Sequence, residues 1–130
     1  MRIGVPKEIK ILEYRVGMVP DGVKELVDQG HEVIVEKNAG LGIGVTDANY
    51  EHAGASIVAN AKEVFQQSEL IVKVKEPLDN EIKMIRENQI VFTYLHLAAG
   101  KQLTEGLVKS KSVCIAYETV TDDKGRLPLL

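Results

Sequence analysis

The chain has 130 residues, 45% hydrophobic and 27% charged, the balance of one globular domain rather than a disordered or collagen-like chain. Its 16 basic and 19 acidic residues leave a net charge of −3 and are spread along the chain, unlike the basic stripe of a nucleic-acid surface. Apolar runs reach only strand length, too short for a membrane-spanning helix, and Met1-Arg2-Ile3-Gly4-Val5-Pro6-Lys7-Glu8 lacks the apolar core of a signal peptide. A soluble cytoplasmic protein is expected, with the single Cys114 as a small buried hydrophobe inside an apolar run.

The elements follow in order. Arg2–Val5 reads as a short apolar strand ended by Pro6, and residues 7–20 run polar and irregular, carrying Arg15. Asp21 is expected to cap a helix in which Val23, Leu26 and Val27 fall at i, i+3 and i+4, with Gly30 at its C-terminal end. Glu32–Glu36 is the next strand, and the glycine-rich stretch 38–45 leads to Thr46 as the cap of a short helix. A brief strand over 55–58 precedes a helix opened by Asn60-Ala61-Lys62-Glu63, which has capping-box spacing. A strand over 69–74 follows, then a helix marked by Leu78, Ile82 and Ile85. The β-branched and aromatic run over 89–93 predicts a buried strand that delivers His96 just past its end. A helix over 101–109, a strand over 112–116 and a turn over 121–126 complete the chain. Continuously apolar strands alternating with helices predict a doubly wound, mostly parallel α/β sheet, Rossmann-like but without a dinucleotide fingerprint. The apolar Leu127-Pro128-Leu129-Leu130 leads to the expectation that the natural sequence runs on.

In a parallel sheet the carboxyl ends of the strands share one edge, and open α/β sheets bind their ligands there. The polar residues just beyond those ends are Arg15, Lys75, Glu76, His96 and Glu118. Arginine offers a planar fork suited to a carboxylate, lysine a point charge that polarises a carbonyl oxygen, and histidine a proton carrier near neutrality. Two cations and a histidine point to a small anion bearing a carbonyl, such as a 2-oxo acid. Each residue also has a plainer reading. Arg15 is equally a solvated loop residue, one of Lys73 and Lys75 is surface decoration, His96 is a structural histidine, and Glu118 pairs with a nearby cation.

Gly40-Leu41-Gly42-Ile43-Gly44 does not make a dinucleotide site. The fingerprint G-x-G-x-x-G directly follows a strand and opens a helix, whereas here the third glycine comes one place early and Val45-Thr46 intervenes. A flexible turn is expected. No P-loop, zinc-ligand spacing or G-x-S-x-G motif occurs.

The opening octapeptide with Glu13-Tyr14-Arg15-Val16, then Gly30-His31-Glu32-Val33, Gly54-Ala55 and Leu70-Ile71-Val72-Lys73-Val74-Lys75-Glu76-Pro77, resembles the alanine dehydrogenase and nicotinamide nucleotide transhydrogenase superfamily across the whole chain. Lys75-Glu76-Pro77, Leu95-His96-Leu97-Ala98-Ala99 and Ala116-Tyr117-Glu118-Thr119-Val120 are similar to the dehydrogenase branch. The resemblance implies that Arg15 grips the substrate carboxylate, Lys75 contacts the 2-oxo or amino end and shares catalysis with His96 as acid/base, and Tyr94 and Leu130 line the pocket. It implies reversible oxidative deamination of L-alanine by NAD to pyruvate and ammonia, in a homo-hexamer. Residues 1–130 would be the N-terminal part of the substrate domain, with NAD bound by a domain outside this chain, so that the chain alone is expected to be inactive. No membrane or nucleic-acid partner is expected. The alternatives are a stand-alone binding module for a small 2-oxo or amino acid, and a transhydrogenase α-type domain, disfavoured by His96 and Lys75.

Overall fold

A computed structural model describes residues 1–130. The strands are β1 (Arg2–Val5), β2 (Glu32–Glu36), β3 (Ser56–Val58), β4 (Leu70–Val72), β5 (Ile90–Thr93) and β6 (Val113–Ala116). Between them lie α1 (Pro20–Asp28), α2 (Asp47–His52), α3 (Ala61–Gln67), α4 (Asp79–Ile82) and α5 (Lys101–Ser110). All neighbouring strands pair in parallel, in the order β3-β2-β1-β4-β5-β6. The expected sheet is therefore present and wholly parallel.

Apolar residues on both faces of the strands dictate this arrangement. Val33, Ile34 and Val35 of β2 are all buried, which requires cover from both sides. Ile3, Val5, Val33 and Val35 pack with Val23 of α1 and Tyr50 of α2 in one core cluster. A second cluster joins Ile71 of β4 and Val91 of β5 to Val64 and Phe65 of α3 and Leu107 of α5. Between Ile3 and Val5, Gly4 faces the opposite way, and a Cβ there would come within 2.7 Å of Val64 Cγ1 on α3. Helix and strand meet so closely at this point that only glycine fits.

Helix ends differ from expectation in two places. Val19, not Asp21, is the N-cap of α1, because Pro20 takes the first helical position, where its missing N–H costs nothing; Asp21 instead lies in the first turn, where the helix dipole favours an acid. The helix expected around Leu78, Ile82 and Ile85 is regular only over Asp79–Ile82. Beyond it Met84 and Ile85 donate to carbonyls three residues back, so the chain continues in tight turns that still bury Ile85. Thr46 caps α2 as expected, Asn60 caps α3, and Gly30 (φ +88°) ends α1 in the left-handed region. Cys114 is only half-buried, near Ser112 on the edge strand.

Strand order places a switch between β1 and β4. From β1 the chain turns to β2 and β3 on one side, while β4, β5 and β6 extend on the other. Connections leaving the carboxyl ends of β1 and β4 diverge and leave a crevice, the usual ligand position in such sheets. Loop 6–19 and segment 73–78 form its walls. No helix is long and apolar enough to cross a membrane.

Candidate active site

The crevice is a cavity of about 470 Å³, within the range of small-molecule sites. Arg15, Val16 and Gly17 line it from the loop after β1, Lys73 and Val74 from beyond β4, Phe92 and Tyr94 from β5 and its exit, and Tyr117 from beyond β6. Ile43, from the glycine-rich stretch, and Leu129 close it. Phe92 and Tyr94 each stack edge-on against Tyr117, at 4.3 and 4.9 Å between ring centres, which makes an apolar floor. Burial pushes the Tyr117 phenol up to about 12, so it stays neutral near pH 7.

Arg15 reaches this cavity with 60% of its side chain exposed. Its fork is already engaged: Nε donates to Glu13 Oε1 at 2.8 Å and Nη2 to Glu13 Oε2 at 2.7 Å. These bonds hold the Glu13 carboxyl down at about 2. Lys75 is half-buried; its charge also lowers Glu13, and its carbonyl accepts the Thr93 hydroxyl at 2.9 Å.

His96 lies beyond the end of β5 in the left-handed region (φ 49°, ψ 42°), a conformation histidine visits more readily than most side chains. Its ring is 6.3 Å from that of Tyr94 and borders a second cavity, shared with Glu76, Gly100 and Leu103. Nδ1 faces Glu76 Oε2 at 3.7 Å, and that oxygen is buried without a hydrogen-bond donor. Burial pushes the Glu76 carboxyl up, but the ammonium of Lys10 on its other oxygen, its own backbone N–H and the nearby His96 together outweigh this and leave it below the usual range.

Glu118 was expected to meet a cation. Instead it accepts the backbone N–H groups of Leu95 (2.9 Å) and His96 (2.7 Å), and so fixes the turn that carries the histidine. Lys73 is not surface decoration either. It is 1% exposed, with Nζ 3.2 Å from Glu8 and 2.8 Å from Glu81. Tyr94 lines the first cavity, its hydroxyl donating to the Leu129 carbonyl; the lining residue at that end is Leu129, while Leu130 is 76% exposed.

Arg15, Lys75, Tyr94 and His96 thus all follow strand ends at one sheet edge, but Arg15 and Tyr94 line the first cavity, His96 the second, and Lys75 lines neither. Sequence reasoning missed Glu13, Glu8, Glu81 and Tyr117. Glu13 could have been found, being an acid two residues from the cation it orients. The buried partners of Lys73 lie far along the chain from it and leave no local sign.

The fold and its edge define a parallel α/β domain with an arginine-bordered crevice at its switch point. Residues 4–130 match the family described as "Alanine dehydrogenase/PNT, N-terminal domain", and the chain belongs to that family. It is 52% identical, over its whole length, to the alanine dehydrogenase of Halomonas elongata and 55% to that of Methanococcus maripaludis, covering 35% of each. A solved L-alanine dehydrogenase superposes with a TM-score of 0.95 at 49% identity, covering 98% of this chain and 35% of that one. The transhydrogenase of Sinorhizobium meliloti gives 0.85 at 27%, over 91% of this chain and 35% of that one. The chain therefore spans about a third of the length of these relatives.

Proposed function

We propose that the chain is the N-terminal, substrate-holding portion of an L-alanine dehydrogenase, interconverting L-alanine, NAD and water with pyruvate, ammonia and NADH. The observation that carries this reading is the arginine fork at the mouth of an apolar cavity of about 470 Å³, with a histidine at the same edge. Arg15 binds the carboxylate of pyruvate or alanine, and Lys75 polarises the bond at C2. A methyl group meets the aromatic floor of Phe92, Tyr94 and Tyr117, with Leu129 beside it. During amination of pyruvate, His96 hands a proton to the oxygen leaving C2, and in deamination it takes that proton back. The orphaned Glu76 Oε2 receives Nδ1–H of the protonated ring, leaving Nε2 for the substrate.

NAD would accept hydride from the substrate carbon, but these residues do not fit its diphosphate. In Gly40-Leu41-Gly42-Ile43-Gly44 and the residue after it, the N–H groups of Leu41, Ile43, Gly44 and Val45 that a diphosphate would need already donate to carbonyls of Asn38, Gly40 and Leu41, and α2 beyond is already capped by Thr46. On this reading the nucleotide is held by another domain of the parent, which family membership leads us to propose as a cytoplasmic homo-hexamer. The test is NADH-dependent reductive amination of pyruvate by that parent. His96→Ala is expected to lower kcat roughly 10²- to 10⁴-fold, and Arg15→Ala to raise KM for pyruvate. Wild-type kcat in His96→Ala overturns the assignment.

A further inference from the structure

We propose that the glycine-rich loop and Glu13 together form a clamp that sets Arg15 for its ligand, making Gly42 and Glu13 positioning residues for carboxylate recognition. The clamp itself is a matter of packing and hydrogen bonds; its use for a 2-oxo acid rests on the function proposed above.

Loop 40–44 is closed by hydrogen bonds of its own. Ile43 N–H donates to the Gly40 carbonyl at 3.1 Å, Gly44 N–H to Leu41 at 3.1 Å, and Val45 N–H to Gly40 at 3.0 Å. It is bolted to its surroundings where Asn38 N–H meets Asp47 at 2.8 Å. Gly42 lies against the backbone of Tyr14, the residue between Glu13 and Arg15, and a Cβ at Gly42 would drive into the Tyr14 carbonyl oxygen. That neighbour is main chain and has no rotamer by which to retreat. Four residues further on, the Tyr50 hydroxyl donates to the Met18 carbonyl at 2.7 Å, so α2 grips the other end of the same segment.

Within that held segment, Glu13 is sunk into the surface, 7% exposed, and gives Arg15 three bonds. Its Oε1 accepts Arg15 backbone N–H at 3.0 Å and Nε at 2.8 Å, and its Oε2 accepts Nη2 at 2.7 Å. The carboxylate thus occupies the Nε/Nη2 side of the guanidinium. Nη1 and the second proton of Nη2 form the remaining edge, which is free of protein acceptors and suits a second carboxylate bidentately. A long, exposed arginine is ordinarily a population of rotamers, and ordering it would weaken binding. Here the protein has ordered it before the ligand arrives.

The experiment follows Arg15 Nε–H by NMR in the isotope-labelled chain, free and titrated with pyruvate, in wild type, Glu13→Gln and Gly42→Ala. Gly30→Ala is the control, a left-handed glycine remote from the site with nothing near its missing Cβ. Wild type and Gly30→Ala are expected to show one slowly exchanging Nε–H signal without ligand. Glu13→Gln and Gly42→Ala are expected to lose its protection while keeping a dispersed amide spectrum, and to bind pyruvate about tenfold more weakly. If Gly42→Ala does not fold, Glu13→Gln decides the matter. Retained protection in Glu13→Gln overturns the clamp. Tighter pyruvate binding in that variant also overturns it, because Glu13 would then be a competitor for the fork. A wild-type chain that shows the protected signal yet gives no response to pyruvate speaks against the proposed function and leaves the clamp standing.

Discussion

Lys73 and Lys75 stand two residues apart where the chain leaves β4, yet they belong to opposite regions of the molecule. Lys73 belongs to a buried lower region: although it borders the first cavity, it is 1% exposed, between the carboxylates of Glu8 and Glu81. Lys75 belongs to a more exposed upper region with Arg15 and His96: it is half-buried, its ammonium is unpaired, and its charge is felt by Glu13 beside Arg15. Strand alternation would put both on one face. The chain bends at Val74–Lys75, and Glu8 Oε1 takes the Val74 N–H at 2.6 Å, so the bend turns one lysine inward and the other out. The lower region spends its charges on each other and ties the loop after β1 to the exit of β4 and to α4. The upper region keeps its cations available. The exposed residues of the site thus stand beside a buried charge group in which one lysine serves two carboxylates.

The sharpest test of this division is to remove each lysine's charge in turn. Lys73→Met leaves two buried carboxylates facing one another without a cation, and should cost about 3–5 kcal/mol in urea unfolding. Adding Glu8→Gln and Glu81→Gln to it should recover part of that loss, because a buried ion group is destabilising chiefly when half of it is missing. Lys75→Met should change stability by no more than about 0.5 kcal/mol, while raising the parent's KM for pyruvate. Equal losses from the two variants would erase the distinction between the regions.

A smaller effect is expected at Glu118, which belongs to the upper region by position and to the lower by role. Its carboxylate joins β6 to the turn after β5 through two backbone N–H groups and holds His96 at φ 49°. Glu118→Ala should cost about 1–3 kcal/mol and let His96 relax out of the left-handed region, which its amide chemical shift would register. Glu118→Gln keeps one acceptor oxygen for both amides and should lose less. If His96 keeps its shift in Glu118→Ala, the turn is held by something other than this carboxylate.

Much of this was legible in the residues. Apolar runs located every strand, the alternation with helices gave the parallel sheet, and the residues just past the strand ends brought Arg15, Lys75 and His96 to one edge. What stayed hidden depended on direction and on distance along the chain. Nothing local distinguishes an inward Lys73 from an outward Lys75, because their separation depends on a bend stabilised from Glu8. Glu118 was expected to seek a cation, whereas the nearest unsatisfied groups were backbone amides, which carry no sequence signature. Spacing alone argued against a nucleotide site in the glycine-rich loop, but it could not show that Gly42 owes its place to the Tyr14 backbone, a contact that only the folded chain creates.

The subtlest difference between the regions is the direction of their response to pH. Glu13, above the edge, has its carboxyl lowered to about 2 by Arg15, so its folded form holds its proton less tightly than the unfolded chain. Its contribution to stability is complete above the usual value of 4.5 and declines as pH falls towards about 2. Glu36, below the edge near Lys73 and Glu81, is shifted the other way: burial raises it, and the Lys7 N–H it accepts at 2.7 Å does not fully offset that. Its folded form holds a proton more tightly, so ionisation penalises the native state at neutral pH and acidification removes the penalty. Urea midpoints for Glu13→Gln and Glu36→Gln, each measured against wild type from pH 7 downwards, should therefore diverge. The deficit of Glu13→Gln should hold steady to about 4.5 and close only towards 2. Relative to wild type, Glu36→Gln should fare best at pH 7 and lose ground as the wild-type carboxyl takes up its proton. Exposure of Arg15 to solvent screens the first effect and keeps it small. A deficit of Glu13→Gln that vanishes above 4.5 would mean that the arginine fork is not held by an ionised carboxylate, and the upper region would then lack the order ascribed to it.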